Sequence, residues 1–224
     1  MKVIILDLDD TLYEELSFVR GGFLAVANYL KEEYSVDEKK SFNFMEDRER
    51  QGRGKIFDEL LINFNLYSKK RVAKLISVYR LHTPLIKLHS DAQRFFKRFK
   101  SWPLYVLTDG NKVVQARKAE ALDLKKFVKK VIITHRYSRD SAKPSSKLFE
   151  KVARQENVGF DEVVYIGDDP SKDFVKIKKA GFKTIRILRG NHKDKRLGDE
   201  FEAHFEINSL DEITENMLKR LNNG

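Results

Sequence analysis

The chain has 224 residues, no cysteine, and 44 Lys and Arg against 34 Asp and Glu, for a net charge of +10. Lack of cysteine excludes disulfides and thiolate metal sites, and no apolar run reaches the roughly 18 residues of a membrane span. At 41% hydrophobic and 35% charged, the chain has apolar material for a core and too much of it for a disordered tail. One Lys and four apolar residues before Asp7 are too few for a signal peptide, so a soluble, cytoplasmic protein is expected. The positive balance favours anionic ligands and can accompany nucleic-acid binding. Its cations are spread along the chain without a recognition motif, so a basic, solubilising surface is the expected meaning.

Val3, Ile4, Ile5 and Leu6 form an apolar run that stops at Asp7, Asp9 and Asp10. Such a run reads as a strand buried on both faces. Three carboxylates so close repel one another and need a cation, a base or full solvation. Downstream, residues 16–33 place Phe18, Phe23, Val26, Ala27 and Leu30 on a helical stripe. Residues 37–50 are polar and weakly patterned, and Gly52-Arg53-Gly54-Lys55 is a flexible basic break. Helical spacing resumes at Ile56 to Phe64 and at Val72 to Tyr79. This all-helical stretch predicts an inserted domain over 14–88, with a core domain from 1–13 and 89–224.

From residue 89 the pattern alternates. Helices are expected at 92–99, 113–122 and 147–156, the last entered through Pro144-Ser145-Ser146. Strands are expected at 104–107, 131–133, 163–166 and 184–188. A further helix is read from Pro170 or Ser171, with Gly181 just past its end. Ser209-Leu210-Asp211-Glu212 has the form of a capping box for a last helix with Ile213, Met217 and Leu221 inward. The alternation predicts an α/β fold, a doubly wound, mostly parallel Rossmann-like sheet. Its strand ends would carry Asp7 and Asp9, Thr108, Lys143, and Asp168 with Asp169 to one edge. Carboxylates for a hard cation, a hydroxyl donor and an ammonium are what a phosphoryl group requires.

On these residues the chain resembles subclass I of the haloacid dehalogenase superfamily, aspartate-nucleophile phosphohydrolases with a helical C1-type cap. Asp7-Leu8-Asp9-Asp10-Thr11-Leu12, Leu107-Thr108-Asp109-Gly110, Ala142-Lys143-Pro144 and Gly167-Asp168-Asp169-Pro170-Ser171-Lys172-Asp173 match its four motifs in order. The resemblance implies a magnesium-dependent phosphatase acting on a small phosphorylated metabolite through an aspartyl phosphate on Asp7. Asp9 would then be the acid and base. Asp7, the Asp9 carbonyl and Asp168 would hold Mg²⁺. Thr108 and the Asp109 amide would grip phosphoryl oxygens, and Lys143 would neutralise Asp7 and the transferred group. Asp173, and Asp169 with it, would orient Lys143 or a metal-bound water, while Asp10 would turn or cap the following loop. The cap would close over the site, with Arg48, Arg53 and Lys55 as candidate substrate contacts.

A calcium loop counted from Asp7 fails, since Leu12 and Phe18 fall where Gly and Glu are needed. A receiver domain lacks both the insertion and the Gly-Asp-Asp after the lysine. Asp9 argues against dehalogenation, which has no leaving oxygen to protonate. Phosphosugar mutases keep both acids and remain an alternative, as does a basic, non-catalytic relative that docks on nucleic acid or a partner. Relatives often carry Asn where this chain has Asp109, whose carboxylate would oppose an anionic substrate unless turned away or paired. The histidines 82, 89, 135, 192 and 204 lack ligand spacing and read as structural. The substrate and the oligomeric state stay unread, with a monomer expected.

Overall fold

A computed structural model describes residues 1–52 and 54–222. The chain divides into two compact units, residues 1–15 with 86–224, and residues 16–85.

Among the described residues the first unit holds a six-stranded sheet, each neighbouring pair parallel. Its strands are β1 (Val3–Leu6), β2 (Leu104–Thr108), β3 (Lys130–Ile133), β4 (Val163–Gly167), β5 (Lys183–Ile187) and β6 (Phe205–Ile207). Their order is β3-β2-β1-β4-β5-β6, the doubly wound order in which the direction of winding reverses at the first strand. Every residue of β1, β2 and β4 is buried, which is why these segments read as continuous apolar runs rather than alternations. Helices α5 (Ser90–Arg98), α6 (Lys112–Ala121), α7 (Lys147–Gln155), α8 (Val175–Lys179) and α9 (Glu215–Asn222) belong to this unit; α1 (Glu15–Tyr34) begins in it. Val3, Ile5, Leu107, Phe149, Tyr165 and Phe174 lie in one apolar core cluster.

Register places the functional residues. Leu6 is opposite Val106 on one side and Ile166 on the other. Asp7 follows one residue beyond that level, and Thr108 and Asp168 two, so all three reach the carboxyl edge where the strands end. Ligands bind at that edge, where the winding reverses.

The second unit is helical, with most of α1, α2 (Glu38–Arg50), α3 (Ile56–Asn63) and α4 (Lys69–Leu81). Its core gathers Phe23, Val26, Leu30, Met45, Leu60, Leu61 and Leu75. Burial of each such side chain contributes about 1.5–3 kcal/mol. Gly22 has no side chain because the Tyr79 ring lies where its Cβ would stand. Among the described residues no helix is long and apolar enough to cross a membrane.

One weakly patterned segment is defined and three local readings are corrected. Residues 38–50 form a regular helix, α2, capped by the Asp37 carboxylate, which accepts from the Lys40 amide. Its buried residues are only Ser41 and Met45, so little apolar periodicity shows. The helix after the fourth strand starts at Val175 rather than at Pro170 or Ser171. There the Asp169 carboxylate accepts from both the amide and the hydroxyl of Ser171, a local turn that competes with helix. The Ser209–Glu212 box is present but opens a short 3-10 turn, Leu210–Glu212, before α9. β6 was not expected; it is a three-residue edge strand with Phe205 43% exposed.

Candidate active site

Asp7 follows β1 and is buried, its amide donating to the Ile166 carbonyl at 2.8 Å. Lys143 Nζ lies 2.9 Å from Asp7 Oδ1 and 2.8 Å from Asp173 Oδ1. It also donates to the Tyr165 hydroxyl at 2.9 Å, and that hydroxyl donates to Asp173 Oδ1 at 3.1 Å. Asp173 Oδ2 accepts from the Asp169 amide at 3.0 Å. Asp173 therefore holds the lysine and the turn after β4 together. Gly167 is glycine for the same reason, since a Cβ there would collide with the Asp173 carboxylate.

Asp7, Asp168 and Asp173 each place a carboxylate oxygen within 4.8 Å of the others. Three buried acids here share the ammonium of Lys143, with Lys172 also acting on Asp7 and Asp173. Burial pushes the Asp7 carboxyl up to about 7, with Lys143 opposing and Asp173 adding to the rise. Burial, then the negative charges of Asp173 and Asp7, push Asp168 up to about 9. For Lys143, burial favours the neutral amine, but Asp173 and Asp7 outweigh it and hold the ammonium well above its ordinary value. The cluster is short of positive charge, and its donors are hard oxygens. That combination fits a divalent ion such as Mg²⁺ and does not fit a thiophilic metal.

The Asp9 carboxylate is turned to a different set of partners. Oδ1 accepts from the Tyr13 hydroxyl at 2.5 Å and from Lys118 Nζ at 2.7 Å; Oδ2 accepts from Gln115 Nε2 at 2.8 Å. Burial pushes this carboxyl up, but Lys118, Tyr13 and Gln115 outweigh it and hold it below the ordinary carboxylate value. The same Gln115 nitrogen lies 2.6 Å from Thr108 Oγ1 and 2.8 Å from the Asp109 carbonyl. The Asp109 carboxylate is turned aside, accepting from Thr134 Oγ1 at 2.5 Å and from the Lys143 amide at 3.2 Å.

Asp10 adopts φ 52°, and its carboxylate accepts from the Glu15 amide at the start of α1 (2.8 Å) and from the Asn191 amide (3.3 Å). Asp169 faces His192 Nε2 at 3.5 Å, Lys172 Nζ at 3.6 Å and Lys195 Nζ at 3.7 Å. Of the residues expected in the helical unit, Arg53 lies outside the described residues. Arg48 pairs with Glu59 at 3.0 Å and covers the Phe44 ring, so it has structural partners. Lys55 is exposed and lines a cavity of about 380 Å³ with Glu49, Asp58 and Tyr79.

Asp7, Lys143, Asp168 and Asp173 thus form one linked group, and Asp9 with Thr108 forms another beside it. Tyr13, Gln115, Lys118 and Tyr165 also take part and were not singled out from sequence. Gln115 and Lys118 are three apart on α6, so a polar pair on one helix face was the only signal, and solvated faces show the same.

A strand-end acid cluster on a doubly wound parallel sheet marks a site at the carboxyl edge, and comparison supplies the class. The family model of haloacid dehalogenase-like hydrolases matches residues 1–181, and the chain belongs to that family. It is an enzyme, a hydrolase. Its curated relatives include the glyceraldehyde 3-phosphate phosphatase of Methanocaldococcus jannaschii, 27% identical over 223 residues and covering 96% of each chain. The protein of the same name from Pyrococcus furiosus is 27% identical over 230 residues, covering 99% of this chain and 95% of its own. Among solved structures, the magnesium-bound HAD-hydrolase YfnB of Bacillus subtilis superimposes with TM-score 0.67 at 19% identity, covering 99% and 98% of the two chains. A 2-haloacid dehalogenase from Pseudomonas syringae gives 0.64 at 19% identity, with 99% and 97% covered.

Proposed function

We propose that the chain is a magnesium-dependent phosphatase that hydrolyses a small phosphomonoester through an aspartyl phosphate on Asp7. The observation that carries this reading is the buried Asp7 carboxylate, held by Lys143 and adjoining Asp168 at the carboxyl edge of the sheet. Full-length likeness to two glyceraldehyde 3-phosphate phosphatases supports it and makes that ester the first substrate to test.

In this reading an Asp7 oxygen attacks phosphorus as the ester oxygen leaves, and Asp9 gives that oxygen a proton. Water then attacks phosphorus of the aspartyl phosphate, Asp9 takes a proton from the water, and the Asp7 carboxylate and inorganic phosphate are released. The Lys118 pair favours the ionised Asp9 that this second half needs. The arriving phosphate dianion favours the protonated form that the first half needs. The Thr108 hydroxyl and the Asp109 amide bind phosphoryl oxygens. Lys143 offsets the charge of Asp7 and of the group in transfer.

Asp7 and Asp168, with the Asp9 carbonyl, would hold Mg²⁺, and Asp173, whose two oxygens already accept hydrogen bonds, would orient Lys143. When bound, the ion supplies positive charge that neutralises the phosphoryl oxygens.

The test is release of inorganic phosphate from glyceraldehyde 3-phosphate and a panel of phosphorylated metabolites, with Mg²⁺ and with chelator. Magnesium-dependent release is expected. Isomerised ester without free phosphate would show a mutase instead, and no turnover of any ester would refute the reading.

A further inference from the structure

Helix α6 carries two polar side chains that belong to none of the four strand-end motifs. Gln115 and Lys118 are only 2% and 3% exposed, and both point at Asp9. Burying a lysine costs several kcal/mol unless it is well paired, and an apolar residue of similar length would fill a helix–sheet interface without that cost. What Lys118 meets is specific: Asp9 Oδ1 at 2.7 Å, Glu15 Oε1 at 3.8 Å and the Tyr13 ring, whose centroid is 5.8 Å away. Gln115 is as constrained. One amide nitrogen has two protons, and three acceptors, Asp9 Oδ2, Thr108 Oγ1 and the Asp109 carbonyl, lie within 2.8 Å of it. Gly110 adopts φ +127°, and a Cβ on it would come within 3.3 Å of the Gln115 side chain, so the loop after β2 fits closely around that amide.

We propose that Lys118 and Gln115 are positioning residues that fix the Asp9 carboxylate relative to Thr108, and so aim it at the leaving oxygen. The inference rests on the phosphatase reading above. Two donors from one rigid helix grip both oxygens of Asp9, while Gln115 ties that carboxylate to the hydroxyl that would bind the phosphoryl group. Separation between acid and phosphorus is thereby set by α6 as well as by the loop that carries Asp9. A misplacement of about 1 Å in such a group can cost about a hundredfold in rate.

The experiment compares an alkyl phosphate, glycerol phosphate, with p-nitrophenyl phosphate. Nitrophenolate leaves as a stable anion, whereas an alkoxide must be protonated as it goes. The constant kcat/KM covers the steps up to transfer onto Asp7, and so isolates the acid's part. Lys118→Met should lower kcat/KM for both esters and lower the alkyl-to-aryl ratio by about tenfold or more. Gln115→Met should move the ratio the same way, and Lys118→Arg, which keeps the charge, should restore most of it. A merely structural role would depress both esters equally; an unchanged ratio in a folded Lys118→Met protein overturns the proposal. Should Lys118→Met fail to fold, the ratio for Gln115→Met decides by the same criterion. Wild-type protein that releases phosphate from neither of these esters nor any of the metabolite panel would instead refute the phosphatase reading, and this proposal with it.

Discussion

Lys143 reaches Asp7 at 2.9 Å with both side chains almost wholly buried, 1% and 4% exposed. The pair joins the loop after β3 to the end of β1, and Asp173 shares the same ammonium at 2.8 Å. Removing the lysine leaves two buried acids without the cation that contacts both of them directly. Lys143→Met should therefore lower kcat by about 100-fold to 1,000-fold. It should also lower unfolding stability by about 3 kcal/mol. Urea titration and phosphate release read the two effects, and a variant with unchanged midpoint and rate would contradict the assignment.

Magnesium should stabilise the folded chain because the carboxylate cluster exists only there. At a hundredfold excess over its dissociation constant the ion should add about 2.7 kcal/mol. Thermal melts with and without chelator measure this. Asp168→Asn should abolish the increment while leaving the metal-free protein folded; an equal increment in that variant would place the ion elsewhere.

Asp91 ties α5 to the loops beyond β5 and β6. Its Oδ2 accepts from Arg189 Nη2 at 2.5 Å, Ser209 Oγ at 3.0 Å and the Leu210 amide at 2.9 Å. Arg189 in turn donates to the Thr11 carbonyl, beside the acidic loop. Burial pushes the Asp91 carboxyl up, but Arg189 and the other donors outweigh it and hold it below its ordinary value of 3.8. A depressed carboxyl contributes stability that is present above the unfolded pKa and lost as pH falls through the folded one. Asp91→Asn should cost about 2 kcal/mol near neutral pH. The gap from wild type should narrow below pH 3.8, and urea midpoints across that range check it. A gap independent of pH would show that the charge of Asp91 is not the source.

Gly190 should be intolerant of any side chain. Its φ is +63°, and a Cβ there would overlap the Asp10 carboxylate that caps α1. Gly190→Ala should cost about 2 kcal/mol from backbone strain, before any displacement of Asp10. Denaturant unfolding measures it, and a variant as stable as wild type would mean that the 190–192 turn gives way freely.

Much of this was legible because a parallel sheet buries its strands on both faces and displays polar residues only where they end. Asp7, Thr108 and Asp168 could be placed that way, and the motif spacing supplied Lys143. The Asp109 question was open in sequence, since only tertiary structure shows Thr134 and the Lys143 amide drawing that carboxylate aside. Lys118 and Gln115 were illegible for a related reason. On α6 they read as an ordinary polar face, and the crossover that turns this face toward Asp9 is a property of the fold. Helix α2 carried little pattern of its own within the expected helical stretch because its buried stripe is Ser41 and Met45. A serine covered by neighbours carries no hydrophobic signal.

The central claim is that Asp7 becomes phosphorylated during turnover. Acid quenching of the enzyme mixed with Mg²⁺ and a hydrolysed ester, followed by peptide mass spectrometry, tests it most directly. One added phosphoryl group is expected on the peptide containing Asp7, absent from Asp7→Asn protein and lost on treatment with hydroxylamine. Undiminished phosphate release by Asp7→Asn, or a phosphoryl group on another residue, would contradict the mechanism.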